Sequence, residues 1–278
     1  MAEIAVRNVG LRTALQPLRY SSFAALWATT LTSNFGSMIQ TMAAAWVMVS
    51  ISDSTFMVAS VQAAASLPVM LFALLAGTLA DSFNRKMVMM SAQIVSLVAS
   101  GALAALTYAG GVSPFSLIIF TFIIGTGYAL HLPTWQSSIR VQVPAHVVPS
   151  AVGLNAVSFN IARCLAPALG GWIIVSSGPA LAFLVNSLTY LGVIAALLFW
   201  KLPNTKTAIR REPIFGSMIS GIRYVAFAGT MRITLCYCFA FTFCGAVLWA
   251  MVPLIANDLL EGGVSTYAYA LSSFGFGA

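Results

Sequence analysis

Long runs without a charged side chain constrain this sequence more than any other feature. Six runs of more than 20 residues contain no Asp, Glu, Lys or Arg: residues 20–52, 54–80, 87–139, 141–162, 164–200 and 233–257. A helix that crosses the hydrocarbon core of a bilayer needs about 20 mostly apolar residues. Charged residues make up only 7% of the chain, whereas soluble domains carry about 25%. The sequence therefore predicts an all-α protein that crosses a membrane many times.

Turn residues divide the longer runs into individual spans. Gly110–Pro114 splits the third run, and Ser176–Pro179 splits the stretch 141–200 if Arg163 is accepted inside a helix. Seven spans follow, near 22–50, 56–79, 87–109, 115–138, 149–175, 180–200 and 233–257. An eighth is predicted to begin at Tyr267 and reaches residue 278 after 12 residues. Because this is shorter than a complete span, we expect the chain to be part of a longer membrane protein, with spans seven and eight held loosely on one side.

The basic residues predict the orientation of the spans. One predicted face carries 12 of the 13 basic residues: Arg7, Arg12, Arg19, Arg85, Lys86, Arg140, Lys201, Lys206, Arg210, Arg211, Arg223 and Arg232. Loops rich in Lys and Arg stay in the cytoplasm, so this face and the N-terminus are predicted to be cytoplasmic. The net charge of +7 is then a consequence of topology, and a nucleic-acid partner is not expected.

A stripe of polar side chains runs along span one. At 100° per residue its members fall within an arc of about 120°; they are Thr30, Ser33, Asn34, Ser37, Gln40 and Thr41. In lipid these side chains would lack hydrogen-bond partners. The stripe therefore either lines a central cavity, where it would bind substrate, or packs on another helix through side-chain hydrogen bonds.

Span five carries a cation near the middle of the membrane. A guanidinium at this depth costs about 2.5 to 3.5 kcal/mol unless it finds water or a partner. Arg163 shares one helix face with Asn160 and with small residues, namely Gly153, Pro167, Gly170 and Gly171. Two interpretations stay open: Arg163 and Asn160 contact an anionic substrate, or Arg163 is bonded to Asn or backbone carbonyls between helices.

The connection between spans two and three concentrates three charges within Gly77–Lys86. Gly77 is expected to let a neighbouring helix approach, and Asp81 to accept from the N–H groups that open the next helix. Arg85 and Lys86 are expected to hold the turn in the cytoplasm.

This Gly-x-Leu-Ala-Asp-x-x-x-Arg-Lys segment resembles the signature loop of the major facilitator superfamily of transporters. The resemblance implies two six-helix bundles joined by a cytoplasmic linker. It implies an N-terminal bundle at 1–200, a linker at 201–231 and an incomplete C-terminal bundle at 232–278. It also implies that Gly77, Asp81, Arg85 and Lys86 form a cytoplasmic gate.

Other segments resemble the bacterial exporter branch that includes enterobactin exporters and transmembrane secretion effectors. They are Ser33–Gly36, Leu132–Gln136, Asn155–Arg163 and the helix-packing motif Pro167-x-x-Gly170-Gly171, with Ala166 where that motif usually has Gly. The resemblance implies a bacterial inner-membrane antiporter that exports small organic molecules, such as siderophores or drugs, by alternating access. Its partners would be the lipid bilayer, a small-molecule substrate and protons.

Candidate groups for energy coupling are few. None of the six acidic residues lies deep in a span, so His131 in span four is the candidate proton site. No nucleotide-binding signature is present, and no cofactor is expected. Cys164, Cys236, Cys238 and Cys244 lie in apolar stretches without metal-ligand spacing, and we interpret them as small packing residues rather than a metal site.

Three alternatives to export stay open. The chain can be a non-transporting membrane scaffold or partner subunit, or an uptake carrier of the same superfamily. A membrane enzyme is less favoured because the sequence has no Gly-x-Ser-x-Gly, His-Glu-x-x-His or paired intramembrane aspartates.

Overall fold

The computed structural model describes residues 10–82, 84–200, 216, 223–260 and 262–277. Eight helices of 15 residues or more occur in this part of the chain: α1 (Ser21–Ile51), α2 (Thr55–Ser82), α3 (Arg85–Tyr108), α4 (Pro114–Gln142), α5 (Val148–Ser177), α6 (Pro179–Phe199), α7 (Gly229–Leu254) and α8 (Gly263–Gly277). Short helical turns precede α1 and α5, and a π-helical turn, Ile255–Leu259, follows α7. The all-α prediction is confirmed, and each of the seven predicted spans corresponds to one helix.

Helix boundaries differ from the prediction by up to four residues. The eighth helix begins at Gly263 rather than at Tyr267, and the seventh begins at Gly229, inside the predicted linker. Most of that linker lies outside the described residues.

Six of the described helical segments are long and apolar enough to cross a membrane. They are Thr55–Phe72, Arg85–Tyr108, Pro114–Gln142, Ala145–Ser177, Pro179–Phe199 and Gly229–Leu259. The predicted first span, α1, has 31 residues but is not among them, because its polar stripe lowers the mean hydropathy. Helix α1 packs against α2, α4, α5, α6 and α7, a central position that keeps polar side chains away from lipid.

The helices alternate in direction, so that the starts of α1, α3 and α5 lie beside the ends of α4 and α6. Trp27 Nε1 at the start of α1 donates to the carbonyl oxygen of Leu154 at the start of α5, at 3.2 Å. The rings of Phe23 and Trp135 stack with their centroids 6.3 Å apart. Arg19, Arg85, Lys86 and Arg140 belong to this end of the molecule, and its cytoplasmic location stays a prediction.

The apolar core consists of two clusters separated along α1. One surrounds Phe23, Leu26, Trp135, Ile139 and Leu197. The other surrounds Met42, Met48, Leu103, Leu117 and Phe183. Lipid is as apolar as these side chains, so van der Waals packing and hydrogen bonds hold the helices together. The polar stripe of α1 lies between the two clusters.

Helix α8 is packed closely against α5, so the expectation of a loosely held eighth helix is wrong. A Cβ atom added to Gly171 would lie 2.5 Å from the Cβ atom of Ala268, and one added to Gly275 would lie 2.8 Å from the Cα atom of Cys164. Both glycines therefore allow close contact between the two backbones. On the opposite face of the same motif, Gly170 lies against Ile39 and Met42 of α1.

Helix α7 is much more exposed than α8. Its large side chains at Tyr237, Phe241 and Phe243 are exposed, as are three of its residues that we expected to pack, Cys236, Cys238 and Cys244. That expectation is wrong for these three cysteines, because α7 contacts the other helices along only part of its surface.

The loop between α2 and α3 is held differently from the prediction. Asn84, not Asp81, caps α3: its side-chain oxygen accepts from the backbone N–H of Lys86 at 3.0 Å. Asp81 lies in the last turn of α2, where its side chain is outside the described part. Among the described residues nothing lies within 4 Å of a Cβ atom added to Gly77, and its expected role in the approach of a neighbouring helix stays a prediction.

Lys86 connects this loop to the end of α6 by two hydrogen bonds. Its Nζ atom donates to the carbonyl oxygens of Leu198 at 3.0 Å and Trp200 at 2.9 Å. These carbonyls end α6, where a cation also interacts favourably with the helix dipole. Lys86 therefore fastens the start of α3 to the end of α6.

The contact between α5 and α8 predicts that Gly171→Ala destabilises the protein by about 1 to 3 kcal/mol through overpacking. Gly153→Ala is the matched control on the same helix, since an added Cβ atom at Gly153 has no neighbour within 4 Å; it should be neutral or slightly stabilising. Thermal unfolding of the purified protein in detergent measures both changes. In the double variant with Ala268→Gly the stability should recover, and failure to recover would contradict the proposed contact.

The Lys86 contacts predict that Lys86→Met lowers stability by about 1 to 2 kcal/mol, because two helix-terminal carbonyls lose a charged donor. Lys86→Arg, which keeps a cationic donor, should lose less. The same unfolding measurement applies, and equal melting temperatures for wild type and Lys86→Met would show that the contacts contribute nothing.

Candidate functional site

The polar stripe of α1 faces two neighbouring cavities. The larger has a volume of about 690 Å³ and is lined by Asn34, Ser37, Gln40 and Thr41 of the stripe. The smaller has a volume of about 370 Å³ and is lined by Thr30, Ser33, Asn34 and Ser37. All six residues of the stripe therefore line at least one cavity. Their role in binding substrate stays a prediction.

Gln40 also connects α1 to other helices. It is buried, and its Oε1 atom accepts from the Oγ atom of Ser100 on α3 at 2.6 Å and from the side-chain amide of Asn186 on α6. Asn186 in turn donates to the hydroxyl oxygen of Tyr190 at 3.1 Å. Both interpretations of the stripe thus apply to Gln40: it lines the cavity, and its carbonyl oxygen takes part in helix packing.

Arg163 lines the larger cavity and is in contact with aromatic rings. Its guanidinium carbon lies 5.4 Å from the ring centroid of Trp249 on α7 and 5.2 Å from that of Phe274 on α8. Cation–π contacts of this kind stabilise a partly desolvated Arg. Neither ring offers a lone-pair acceptor in these contacts, so the N–H donors of the guanidinium retain hydrogen-bonding capacity for an oxygen-bearing ligand.

Asn160 does not join Arg163 in the cavity. It is exposed and lines neither cavity, and its expected role in substrate binding stays a prediction. Phe159 lines both cavities instead. Phe159 precedes Arg163 by four residues, which places the two side chains one above the other on the helix. The four-residue spacing in the sequence could therefore have identified Phe159 as a cavity residue. Asn160 is rotated to the other side of Arg163 on the helix.

Most of the larger cavity is apolar. Met38, Met42 and Met70 supply flexible, polarisable side chains, and Tyr128, Phe159 and Trp249 supply aromatic ones. Methionine adapts to ligands of different shape. Pockets of roughly 300 to 1,000 Å³ with an apolar lining and a few polar groups are typical of small-molecule sites. Among the described residues, Arg163 is the only Asp, Glu, Lys or Arg that lines this cavity.

His131 lines the smaller cavity and is buried, with 8% of its surface exposed. Its Nδ1 atom has no hydrogen-bond partner among the described residues.

Pro167 is the first residue of the helix-packing motif on α5, whose two glycines contact α1 and α8. It lines the larger cavity. Within the described ranges, no group of three or more His, Cys, Asp or Glu residues has metal-binding geometry.

Comparisons with known proteins agree with the fold. The family described as transmembrane secretion effector matches residues 12–278. The multidrug efflux pump Tap of Mycolicibacterium fortuitum is 22% identical over 225 residues, which are 78% of this chain and 54% of that protein. The chain thus spans about half the length of this curated relative.

A solved structure shares the fold. The crystal structure of a bacterial homologue of the human lysosomal transporter Spinster, inward-facing and unoccupied, matches with a TM-score of 0.69 at 17% identity. The match covers 94% of this chain and 61% of that one. Because the family match covers residues 12–278, the chain belongs to the transmembrane secretion effector family of major facilitator transporters.

Proposed function

We propose that this protein exports small amphipathic organic molecules, siderophore-like or drug-like, across a bacterial inner membrane by alternating access. The bundle of residues 1–200 would rock against a C-terminal bundle that begins near residue 232, with the substrate bound at the cavity between them. The cytoplasmic loop Gly77–Lys86 would act as the gate.

The larger cavity is the observation that carries this proposal. It is large enough for a drug-sized molecule, and it combines methionine and aromatic walls with one cation, Arg163, and the polar stripe of α1. Such a lining fits an amphipathic ligand that is uncharged or anionic. Export, rather than uptake, is supported by the similarity to the mycobacterial multidrug efflux pump and by the Pro167-x-x-Gly170-Gly171 motif.

Proton exchange at His131 is the proposed source of energy. His131 is the titratable side chain, other than tyrosine, that lines the smaller cavity, and imidazole is the side chain whose ordinary pKa lies nearest to neutral pH. In this proposal, the proton and the substrate bind alternately in the same pathway, so that proton entry drives substrate release.

The export proposal predicts active transport in inverted membrane vesicles from cells that express the protein from its own gene and lack other efflux pumps. Two fluorescent probes share one skeleton: 1-anilinonaphthalene-8-sulfonate is an anion, and N-phenyl-1-naphthylamine is its uncharged parent. Energised vesicles should concentrate both probes. Arg163→Gln should reduce transport of the sulfonate by about tenfold or more, the effect of losing one charged hydrogen bond, and affect the parent much less.

Arg223→Gln is the control for that experiment, because Arg223 is exposed and lines neither cavity. Equal probe levels in vesicles with and without the protein would contradict export. Unchanged sulfonate transport by Arg163→Gln would contradict the role of Arg163 alone.

The coupling proposal predicts that a protonophore stops probe accumulation in the same vesicles. His131→Gln should abolish accumulation against a gradient but leave exchange of probe across the membrane, because exchange needs no proton transfer. The two activities are measured separately, as energised uptake and as counterflow in de-energised vesicles. Accumulation by His131→Gln at the wild-type rate would exclude His131 as the coupling group.

A further inference from the structure

Three unpaired polar atoms meet at the smaller cavity. Thr30 Oγ1 on α1, Gln93 Oε1 on α3 and His131 Nδ1 on α4 are buried and have no hydrogen-bond partner among the described residues. Their side chains line the smaller cavity, and they are only 6%, 4% and 8% exposed, respectively. A buried polar atom without a partner is destabilising, and such atoms are uncommon in folded proteins. Three on one cavity, from three helices, indicate a place where a polar ligand completes the hydrogen bonding.

Neighbouring polar groups in the same cavity are paired. Trp135 Nε1 donates to Asn155 Oδ1 at 3.0 Å, and Asn34 Nδ2 donates to Ser158 Oγ at 3.4 Å. Unpaired atoms are therefore not a general property of this region. In the larger cavity, by comparison, Thr121 Oγ1 is the one buried unpaired side-chain atom within the described ranges.

The lining of the smaller cavity selects the kind of group that would bind. None of its described lining residues is Asp, Glu, Lys or Arg. Gln93 Oε1 can only accept a hydrogen bond, whereas the Thr30 hydroxyl can donate or accept. An uncharged group with an O–H or N–H donor, such as an alcohol or an amide, satisfies these atoms without placing an unpaired charge in the membrane.

The two cavities are adjacent, because five residues line both of them: Asn34, Ser37, Tyr128, Phe159 and Tyr190. We propose that the smaller cavity is a second binding compartment, in which Gln93 and Thr30 recognise an uncharged hydrogen-bonding group of the cargo while its apolar body occupies the larger cavity. This proposal rests on the function proposed above, and it narrows the substrate class to amphipathic molecules with an alcohol or amide group.

A matched pair of fluorescent probes tests this assignment by direct binding. N-(2-hydroxyethyl)-N-methyldansylamide and N-methyl-N-propyldansylamide have the same length and carry no N–H donor; they differ only in a terminal hydroxyl group in place of a methyl group. Fluorescence titration of the purified protein in nanodiscs gives the dissociation constant of each. Wild type should bind the hydroxyethyl probe about fivefold to tenfold more tightly than the propyl probe, as one uncharged hydrogen bond allows. Gln93→Met and Thr30→Val should each reduce this preference while keeping affinity for the propyl probe.

Gln142→Met is the matched control. Gln142 is 9% exposed and its Oε1 atom is also unpaired among the described residues, but it lines neither cavity; its substitution should leave the preference unchanged. Equal affinities of wild type for the two probes, or a full preference in Gln93→Met, would overturn the assignment. Because no transport step is measured, a protein that shows the preference but fails to export would contradict the proposed function and leave this inference standing.

Discussion

A polar helix inside a membrane protein is the constraint on which the rest of this structure depends. Helix α1 carries the stripe of six polar side chains between its two apolar core contacts, and lipid cannot supply hydrogen bonds to them. The structure resolves this conflict by surrounding α1 with five other helices. The apolar residues of α1 at these contacts belong to the two core clusters, and the polar stripe faces the two cavities. The cavity is thus a direct consequence of where α1 has to lie.

The polar groups along α1 are divided between structural and open roles. Gln40 uses its carbonyl oxygen to join α1 to α3 and α6, which holds one wall of the larger cavity in place. Thr30 keeps an unpaired hydroxyl at the smaller cavity. Arg163 is held against two aromatic rings from α7 and α8, so these helices complete the larger cavity around the cation.

Much of this arrangement could be predicted because membrane spans need length and low charge, and both are visible in the sequence. The polar stripe could be predicted from helical periodicity. Periodicity alone could not decide between close positions: Asn160 and Phe159 lie on opposite sides of Arg163, and only packing shows that Phe159 reaches the cavity. Likewise, the composition of the loop suggested Asp81 as the helix cap, whereas the start of α3 at Arg85 makes Asn84 the residue that can reach its first N–H groups. Gln93 gave no sequence signal, because a single Gln in an apolar helix has no distinctive pattern.

Cysteine accessibility at the stripe tests the central claim most directly. Ser37→Cys would be made in a protein whose own four cysteines are replaced, with Leu184→Cys on an exposed face of α6 as the lipid-facing control. Thiols react as thiolates, which need water, so a membrane-impermeant thiol reagent should modify Cys at position 37 and leave position 184 unmodified. N-phenyl-1-naphthylamine, by occupying the larger cavity, should slow the reaction at position 37. A thiol at position 37 that is as unreactive as the one at position 184 would contradict a water-accessible cavity along α1.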